Sequence, residues 1–262
     1  MRALFGSFTV LLLLVGCSPG RDSRVTPGTP SLKAMVVAKH PHDPTSFTEG
    51  LVFDAAGSLY ESAGGYGTSD VREVEPSTGA VLRREQLDPS LFGEGLAVVD
   101  RRLVQLTWRE NLAITWEADT LVAGPRQTFE GEGWGLTSTA DGRLVQSDGS
   151  SKLTIRDPSD FSAQGAVVVK RDGRAVEMIN ELEMVGDVLW ANVWKTSEIL
   201  RIDPDTGAVT GVADLSGIVP EDLDPDSQVL NGIAHHPGDS ANRLWVTGKD
   251  WPTMYEIEVI ET

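Results

Sequence analysis

Short apolar runs separated by turn residues recur along the chain, and the first of them has the form x-G-L followed by apolar residues. Its copies drift, as in EGLVF, EGLAV and WGLTS, but they return at intervals of roughly 40 to 50 residues. Second and third short runs follow each copy, and Pro-x-Thr-Gly turns end the third run at Gly79 and Gly207. Each interval therefore predicts several short strands joined by tight turns. The five copies begin at Glu49, Glu94, Trp134, Asn180 and Asn231.

A repeat of about 40 to 50 residues with four strands is typical of one blade of a β-propeller. Fourth strands are visible as VLRREQL after Gly79, AVVVK before Arg171 and VTGVADL after Ala208. The fifth repeat has only three strands, and KAMVVAKH at residues 33–40 can supply the missing one. The sequence therefore predicts an all-β fold, a five-bladed β-propeller with four-stranded blades whose ring is closed by the N-terminal strand.

The first residues, MRALFGSFTVLLLLVGC, combine one arginine with an apolar stretch too short to span a bilayer as an ordinary helix. This pattern predicts a signal peptide over residues 1–16, and the sequence LVGC ending at Cys17 resembles the lipobox of bacterial lipoproteins. The alternative is a signal peptide that merely contains a cysteine. Residues 17–30 are rich in Pro, Gly, Ser and Thr and are predicted to form a tether, and residues 31–262 to form the propeller domain. We therefore expect an exported bacterial lipoprotein, membrane-anchored and facing the periplasm or the cell exterior.

The net charge and the cysteine content limit the binding partners and the disulfide bonds that can be expected. The chain has 22 Lys and Arg against 39 Asp and Glu, a formal net charge of −17 at pH 7. This balance disfavours nucleic acid and anionic lipid surfaces and suits cationic peptides. Cys17 is the only cysteine, so an intramolecular disulfide is impossible. We expect a monomer that reaches the membrane only through its lipid anchor.

The variable first position of the repeat is where a site is expected. The first strand of each propeller blade lines the central channel, so these five residues should gather at one mouth. A structural repeat needs only small or apolar residues there, whereas this set is polar and aromatic and differs between repeats. The pattern therefore predicts a functional site at that mouth.

Longer stretches of the chain are similar to a known family. The segments PHDPTSFTEGL, LYESAGGYGTSDVR, FGEGL, GWGL, INELE and LWVTGKDWP resemble the plant- and bacterial-type glutaminyl-peptide cyclotransferases, in the same order. The resemblance covers residues 41 to about 258. It implies a five-bladed propeller that converts N-terminal glutamine of peptides and proteins to pyroglutamate, releases ammonia and uses no catalytic zinc.

The resemblance also implies the site residues. Plant members of the family carry glutamine where this chain has Glu49, so the role of that carboxylate, a second negative charge or a holder of the substrate ammonium, stays open. The implied catalytic residues are Glu94, Lys249 and Asn180. The implied substrate-binding residues are Glu49, Phe47, Phe92, Trp108, Trp134 and Trp194.

The chemistry of the reaction explains these residue types. The substrate's α-amine must lose a proton and the leaving amide nitrogen must gain one, and a single carboxyl group, Glu94, can do both. The flanking glycines are then expected to let substrate approach the backbone closely. Lys249 can stabilise the oxyanion, and Asn180 can orient the amide. The alternatives are a carboxylate satisfied by backbone donors, a surface lysine and a turn asparagine.

Other patterns have less support. The pairs His40/His42 and His235/His236 lack a third zinc ligand, and His42 is expected to be structural. No cofactor is predicted, although a structural calcium ion is possible at residues 221–228 or at the channel floor. A non-catalytic envelope propeller that binds a ligand or partner and a metal-dependent lactonase remain alternatives. The remaining tryptophans, Trp116, Trp190, Trp245 and Trp251, are expected in the core.

Overall fold

Short strands make up most of the chain in a computed structural model that describes residues 28–262. The strands are β1 (Ser31–Pro41), β2 (Thr48–Phe53), β3 (Leu59–Ala63), β4 (Asp70–Glu75), β5 (Ala80–Gln86), β6 (Gly93–Val99), β7 (Arg102–Thr107), β8 (Leu112–Glu117), β9 (Ala123–Thr128), β10 (Leu136–Ser138), β11 (Leu144–Gln146), β12 (Lys152–Arg156), β13 (Ala163–Val168), β14 (Lys170–Arg171), β15 (Arg174–Ala175), β16 (Ile179–Val185), β17 (Val188–Val193), β18 (Glu198–Ile202), β19 (Val209–Asp214), β20 (Leu230–Ala234), β21 (Arg243–Gly248) and β22 (Thr253–Glu261). One 3-10 turn, Ser216–Ile218, is the only helical element in this part of the chain. Accordingly, none of the described residues forms a helix with the length and apolar character that crossing a membrane requires.

The strands assemble into four-stranded antiparallel units. Three are separate sheets, in the orders β2-β3-β4-β5, β6-β7-β8-β9 and β10-β11-β12-β13. An eight-stranded sheet has the order β16-β17-β18-β19-β1-β22-β21-β20, and its two halves meet at a short parallel pairing of Ser31 and Leu32 with Val212 and Ala213. Strand β1 pairs antiparallel with β22 along nearly its whole length, so it lies as the fourth strand beside β20 to β22.

The first strands of the five units contact one another in a cycle. Strand β2 contacts β6 and β20, β10 contacts β6 and β16, and β16 contacts β20. Glycine allows these approaches, because a Cβ on Gly50 would lie 2.5 Å from the amide nitrogen of Leu96 and one on Gly95 would clash with Trp134 backbone. A Cβ on Gly93 would lie 2.8 Å from Gln105 Nε2. The expectation that the glycines beside Glu94 make room for substrate is therefore wrong: they make room for neighbouring protein atoms.

The core lies between adjacent units and is built from the apolar residues of the predicted runs. Leu96, Leu103 and Ile114 pack with Trp116 in one such cluster, and Trp190 and Trp251 belong to another. All four tryptophans predicted for the core are buried, at 0 to 7% exposure. The apolar pattern thus identified the packing surfaces of the inner strands.

Two elements differ from the sequence prediction. The prediction of four-stranded blades requires β9, AGPRQT, but its position was not identified from the sequence, and the hairpin β14–β15 was not predicted. The last residues of the predicted tether also contact the folded domain, since Thr29 donates two hydrogen bonds to Asp172 Oδ1 and Pro30 accepts one from the backbone N–H of Val212. The predicted signal peptide, Cys17 and the rest of the tether lie outside the described residues.

Candidate active site

The nine side chains predicted for the site line one cavity of about 340 Å³. They come from all five four-stranded units, and their functional roles remain predictions. The cavity-lining residues that were predicted are Phe47, Glu49, Phe92, Glu94, Trp108, Trp134, Asn180, Trp194 and Lys249.

Strand direction explains why these residues meet. Glu49, Glu94 and Asn180 lie near the starts of first strands β2, β6 and β16. Trp108 and Lys249 directly follow second strands β7 and β21, and a second strand runs antiparallel to the first. The start of a first strand and the end of a second strand therefore lie at the same edge of a unit. The polar and aromatic residues of the first and second strands therefore lie together at one mouth of the cavity.

A buried ion pair lies in the cavity wall. Lys249 Nζ is 2.6 Å from Glu49 Oε1, and both side chains are at most 7% exposed. Asn231 Nδ2 donates to the other oxygen of Glu49 at 3.2 Å and to the backbone oxygen of Thr48 at 2.9 Å. Lys249 Nζ also lies 4.6 Å from the centre of the Phe47 ring. Glu49 is therefore held by two donors, and Lys249 keeps N–H groups on a surface that faces the cavity.

Glu94 is buried beside this pair. Burial raises the pKa of Glu94 well above its usual range, and the nearby charge of Glu49 raises it further, while Lys249 opposes both. Burial also raises the pKa of Glu49, against the effect of Lys249 and of a hydrogen bond with Glu94. Among residues 28–262, the ion pairs place a cation on Glu49 and none on Glu94. The arrangement therefore favours the neutral form of Glu94 more than that of Glu49, which has the Lys249 ammonium beside it.

Aromatic rings enclose the remaining sides of the cavity. Phe92 contacts Phe47 and Trp108 with ring centroids 6.3 and 5.5 Å apart. On the other side Trp134 meets Trp194 edge to face at 5.5 Å. Such walls bind an aliphatic chain by dispersion and exclude water around it.

Asn180 places an unpaired acceptor in this apolar enclosure. The residue is 2% exposed, and its Oδ1 has no hydrogen-bond partner among the described residues. Its backbone oxygen accepts a bond from Ser147 Oγ at 2.7 Å, which fixes the strand that carries it. A buried unpaired oxygen is costly, and a ligand N–H would satisfy it.

Sequence reasoning missed three residues near the site. Asp226 and Ser227, in the segment weighed for calcium, line the cavity. Glu132 accepts hydrogen bonds from the indoles of Trp108 and Trp134. Its sequence GEGWG repeats the Gly-Glu-Gly pattern of FGEG, and this similarity could have identified it.

The histidines lie apart from the cavity lining. His42 is buried, with Nε2 3.0 Å from Glu61 Oε1 and Nδ1 2.6 Å from the backbone oxygen of Trp251. His40 Nε2 is 2.7 Å from Glu256 Oε1. Over residues 28–262, no group of three or more His, Cys, Asp and Glu side chains is arranged to hold a metal ion.

This geometry defines a class of protein: an all-β enzyme with a buried carboxyl, a lysine and aromatic walls in one cavity. Comparison with known proteins identifies the family. The family described as glutamine cyclotransferase matches residues 9–259. The glutaminyl-peptide cyclotransferase of Arabidopsis thaliana is 39% identical over 229 residues, which are 86% of this chain and 70% of that protein. The crystal structure of Myxococcus xanthus glutaminyl cyclase superposes with a TM-score of 0.83 at 38% identity, covering 89% of this chain and 99% of that one. The chain therefore belongs to the glutamine cyclotransferase family, a family of acyltransferases.

Proposed function

We propose that this protein cyclises the N-terminal glutamine of peptides and proteins to pyroglutamate and releases ammonia, with Glu94 as general acid and base and without a catalytic metal. The observation that carries the proposal is the buried Glu94 carboxyl, whose pKa is raised, beside the Glu49–Lys249 ion pair in an aromatic cavity. A cavity of about 340 Å³ has room for one glutaminyl residue, and a longer peptide leaves through the mouth.

Different residues of the cavity contact different parts of the substrate. The aromatic walls hold the methylene groups of the glutamine side chain and fold it so that the α-amine approaches the amide carbon. Asn180 Oδ1, unpaired in the free protein, accepts an N–H of the substrate amide or backbone. The Glu49 carboxylate attracts the α-ammonium group.

Glu94 moves the proton that the reaction requires. The α-amine attacks the side-chain carbonyl carbon, a new C–N bond forms, and the C–N bond to the leaving nitrogen breaks. An ordinary α-amino group has a pKa of about 7.7 to 8.0, so a carboxyl with a strongly raised pKa exchanges a proton with it at little cost. The substrate reacts as the free amine, after its ammonium group has lost one proton to solvent. The ionised Glu94 carboxylate takes the proton that the amine nitrogen loses on attack and gives it to the departing nitrogen, which leaves as ammonia.

Lys249 stabilises the charge that forms between these steps. Attack on the amide carbon puts negative charge on its oxygen, and a fixed cationic donor lowers the energy of that state. The pairing with Glu49 at 2.6 Å holds the Lys249 ammonium in place before substrate arrives. Preorganisation of this kind avoids the cost of moving the donor during the reaction.

Ammonia release is the decisive experiment. We expect the purified protein to release ammonia from a peptide with N-terminal glutamine in the presence of a chelator. The same peptide with an acetylated α-amine is the control, because it has no nucleophile. Failure to release ammonia anywhere between about pH 6 and 9 in a folded sample would favour the alternative, a non-catalytic envelope protein that binds peptides in this cavity. Activity lost only with the chelator would instead indicate a metal-dependent reaction.

The wider architecture and location complete the proposal. The cyclic contacts of the five first strands and the pairing of β1 with β22 support a five-bladed propeller closed by its N-terminal strand. The sequence ending at Cys17 supports a lipid-anchored, exported protein. Detergent partitioning of the full chain, lost in Cys17→Ser, tests the anchor.

A further inference from the structure

Glu132 joins two neighbouring parts of the cavity wall through one atom. Its Oε2 accepts the indole N–H of Trp108 at 2.8 Å and that of Trp134 at 3.0 Å. Trp108 follows β7 and Trp134 precedes β10, so this single oxygen connects two different four-stranded units. Hydrogen bonds to a charged acceptor are stronger than neutral ones, and two of them on one oxygen fix the separation of the two indoles.

The carboxylate itself is held in place. The Glu132 backbone oxygen accepts a bond from Gln146 Nε2 at 3.2 Å, and the following Gly133 N–H donates to the Trp108 backbone oxygen at 2.8 Å. Arg109 Nε lies 3.0 Å from Glu132 Oε1, and the Arg109 guanidinium stacks on the Trp108 indole at 3.6 Å. Trp108 is therefore restrained at its N–H and on one face, and both restraints pass through Glu132.

We propose that Glu132 is a positioning residue that sets the width of the aromatic pocket, and hence the affinity for the glutamine side chain, by bridging the indoles of Trp108 and Trp134. The inference rests on the proposed function for its substrate, but the bridge is a property of the free protein. Glu132 touches neither reacting atom in the proposed mechanism. Its loss should therefore change substrate binding far more than the chemical step.

Substitutions at Glu132 can separate the effect of side-chain length from the effect of charge. Glu132→Gln keeps the side-chain length and one oxygen that can accept both indole N–H groups, but removes the charge and the ion pair with Arg109. Glu132→Asp keeps the charge but is one methylene shorter, so it cannot bridge the same two groups. Glu130 lies in the same loop, is exposed and has no side-chain hydrogen bond or ion pair among residues 28–262, so Glu130→Asp and Glu130→Gln are matched controls.

The experiment combines kinetics with near-ultraviolet circular dichroism of the free protein. We expect Glu132→Asp to raise KM about fivefold to tenfold with kcat nearly unchanged and to alter the indole bands. Both Glu130 variants should retain the wild-type KM and spectrum, and Glu132→Gln, which keeps the bridging oxygen but loses the charge, should stay within about twofold of the wild-type KM. Rescue by Gln but not by Asp is the result that a purely electrostatic role would not produce.

The proposal is overturned if Glu132→Asp keeps the wild-type KM and Glu132→Gln raises KM, because the charge of the side chain, and not its length, would then determine binding. It is also overturned if both variants match the wild type, or if Asp lowers kcat with KM unchanged. A wild-type protein that releases no ammonia would refute the proposed function instead, and the dichroism comparison would still test the bridge.

Discussion

Two buried carboxylate–cation pairs lie near the start of β2, and they differ in how completely the cation of each pair is hydrogen-bonded. Glu61 Oε1 accepts bonds from Ser46 and Thr48 hydroxyls, both at 2.7 Å, and lies 3.0 Å from His42 Nε2. The Glu49–Lys249 pair borders a cavity and has N–H groups and space left over. A cation with both of its ring nitrogens bonded, such as His42, stabilises a fold, whereas a lysine with N–H groups left over can still bind a ligand.

The satisfied pair also positions the other one. Thr48, held by Glu61, precedes Glu49 in β2, and the Trp251 backbone oxygen, held by His42 at 2.6 Å, lies two residues after Lys249. Both ring nitrogens of His42 face oxygen acceptors, so both must carry protons. Burial alone lowers the pKa of His42, but Glu61 more than offsets this and the net effect raises it. The pair is thus an imidazolium–carboxylate bridge behind the cavity.

The largest effect on stability is expected from Glu61→Gln. Removing one member of a buried ion pair leaves His42 charged and unpaired, so the free energy of unfolding should fall by about 3 kcal/mol. Urea unfolding near pH 6 measures the loss. Glu73→Gln in the same four-stranded unit, where the acid pairs with the partly exposed Arg83, is the control and should cost less than about 1 kcal/mol.

The pH dependence of that loss follows from the two pKa shifts. Burial would raise the pKa of Glu61, but His42 and Arg72 lower it from 4.5 to about 2, so its contribution is present above about pH 4.5 and disappears as pH falls toward 2. The folded pKa of His42 lies above 6.5, so its contribution is complete below about pH 6.5 and disappears as pH rises through the folded value. A wild-type advantage that stays constant from pH 4 to 9 would contradict the bridge.

Glu94→Gln should have the opposite effect to Glu61→Gln: activity should be lost and the free energy of unfolding should be kept. The amide retains shape but cannot carry the proton, so kcat should fall by at least about 100-fold with KM changed little. Because folding raises the pKa of Glu94, burying this carboxyl costs stability at neutral pH, and the neutral amide should leave the protein at least as stable. Steady-state ammonia release and urea unfolding of the same samples test both halves. An active but unstable variant would make Glu94 a structural carboxylate.

The sequence predicted the inner strands and the cavity lining because both follow one local rule. Each repeat has an apolar run that must be buried, and the residue before it lies at the same edge in every unit. That rule brought Glu94, Trp134 and Asn180 together before any contact was known. The resemblance to the family, and not the rule, added Phe47, Phe92, Trp108, Trp194 and Lys249. The ion pair of Glu49 with Lys249 joins residues 200 positions apart, and no local pattern encodes it.

The outer elements were harder to predict for a physical reason. Strand β9 pairs only with β8 and is exposed on both faces, so it needs no apolar alternation, and its Gly124 and Pro125 are residues that strands usually avoid. The hairpin β14–β15 did carry a signal, since Asp172 and Gly173 both adopt positive φ, as an Asp-Gly hairpin turn requires. Its strands are only two residues long, which is too short for a hydrophobic pattern.

The smallest effect is expected from Glu49→Gln, which compares the two carboxylates inside the cavity. The amide oxygen can still accept from Lys249, and glutamine is the residue that the resemblance to plant enzymes places there, so activity should stay within about tenfold of wild type. The charge at Glu49 raises the pKa of Glu94, so its removal lowers that pKa. The charge of Lys249, no longer neutralised by a carboxylate at position 49, acts in the same direction.

The limb of the kcat/KM pH profile that belongs to Glu94 should therefore move to lower pH in Glu49→Gln, while the limb set by the substrate's α-amine stays in place. Substrates whose α-amines differ in pKa identify the two limbs, because only the amine limb follows the substrate. An inactive Glu49→Gln together with an active Glu94→Gln would show that the two carboxylates have exchanged roles. If both variants keep full activity, neither carboxylate carries the proton, and the ion pair with Lys249 serves only to hold the mouth of the cavity together.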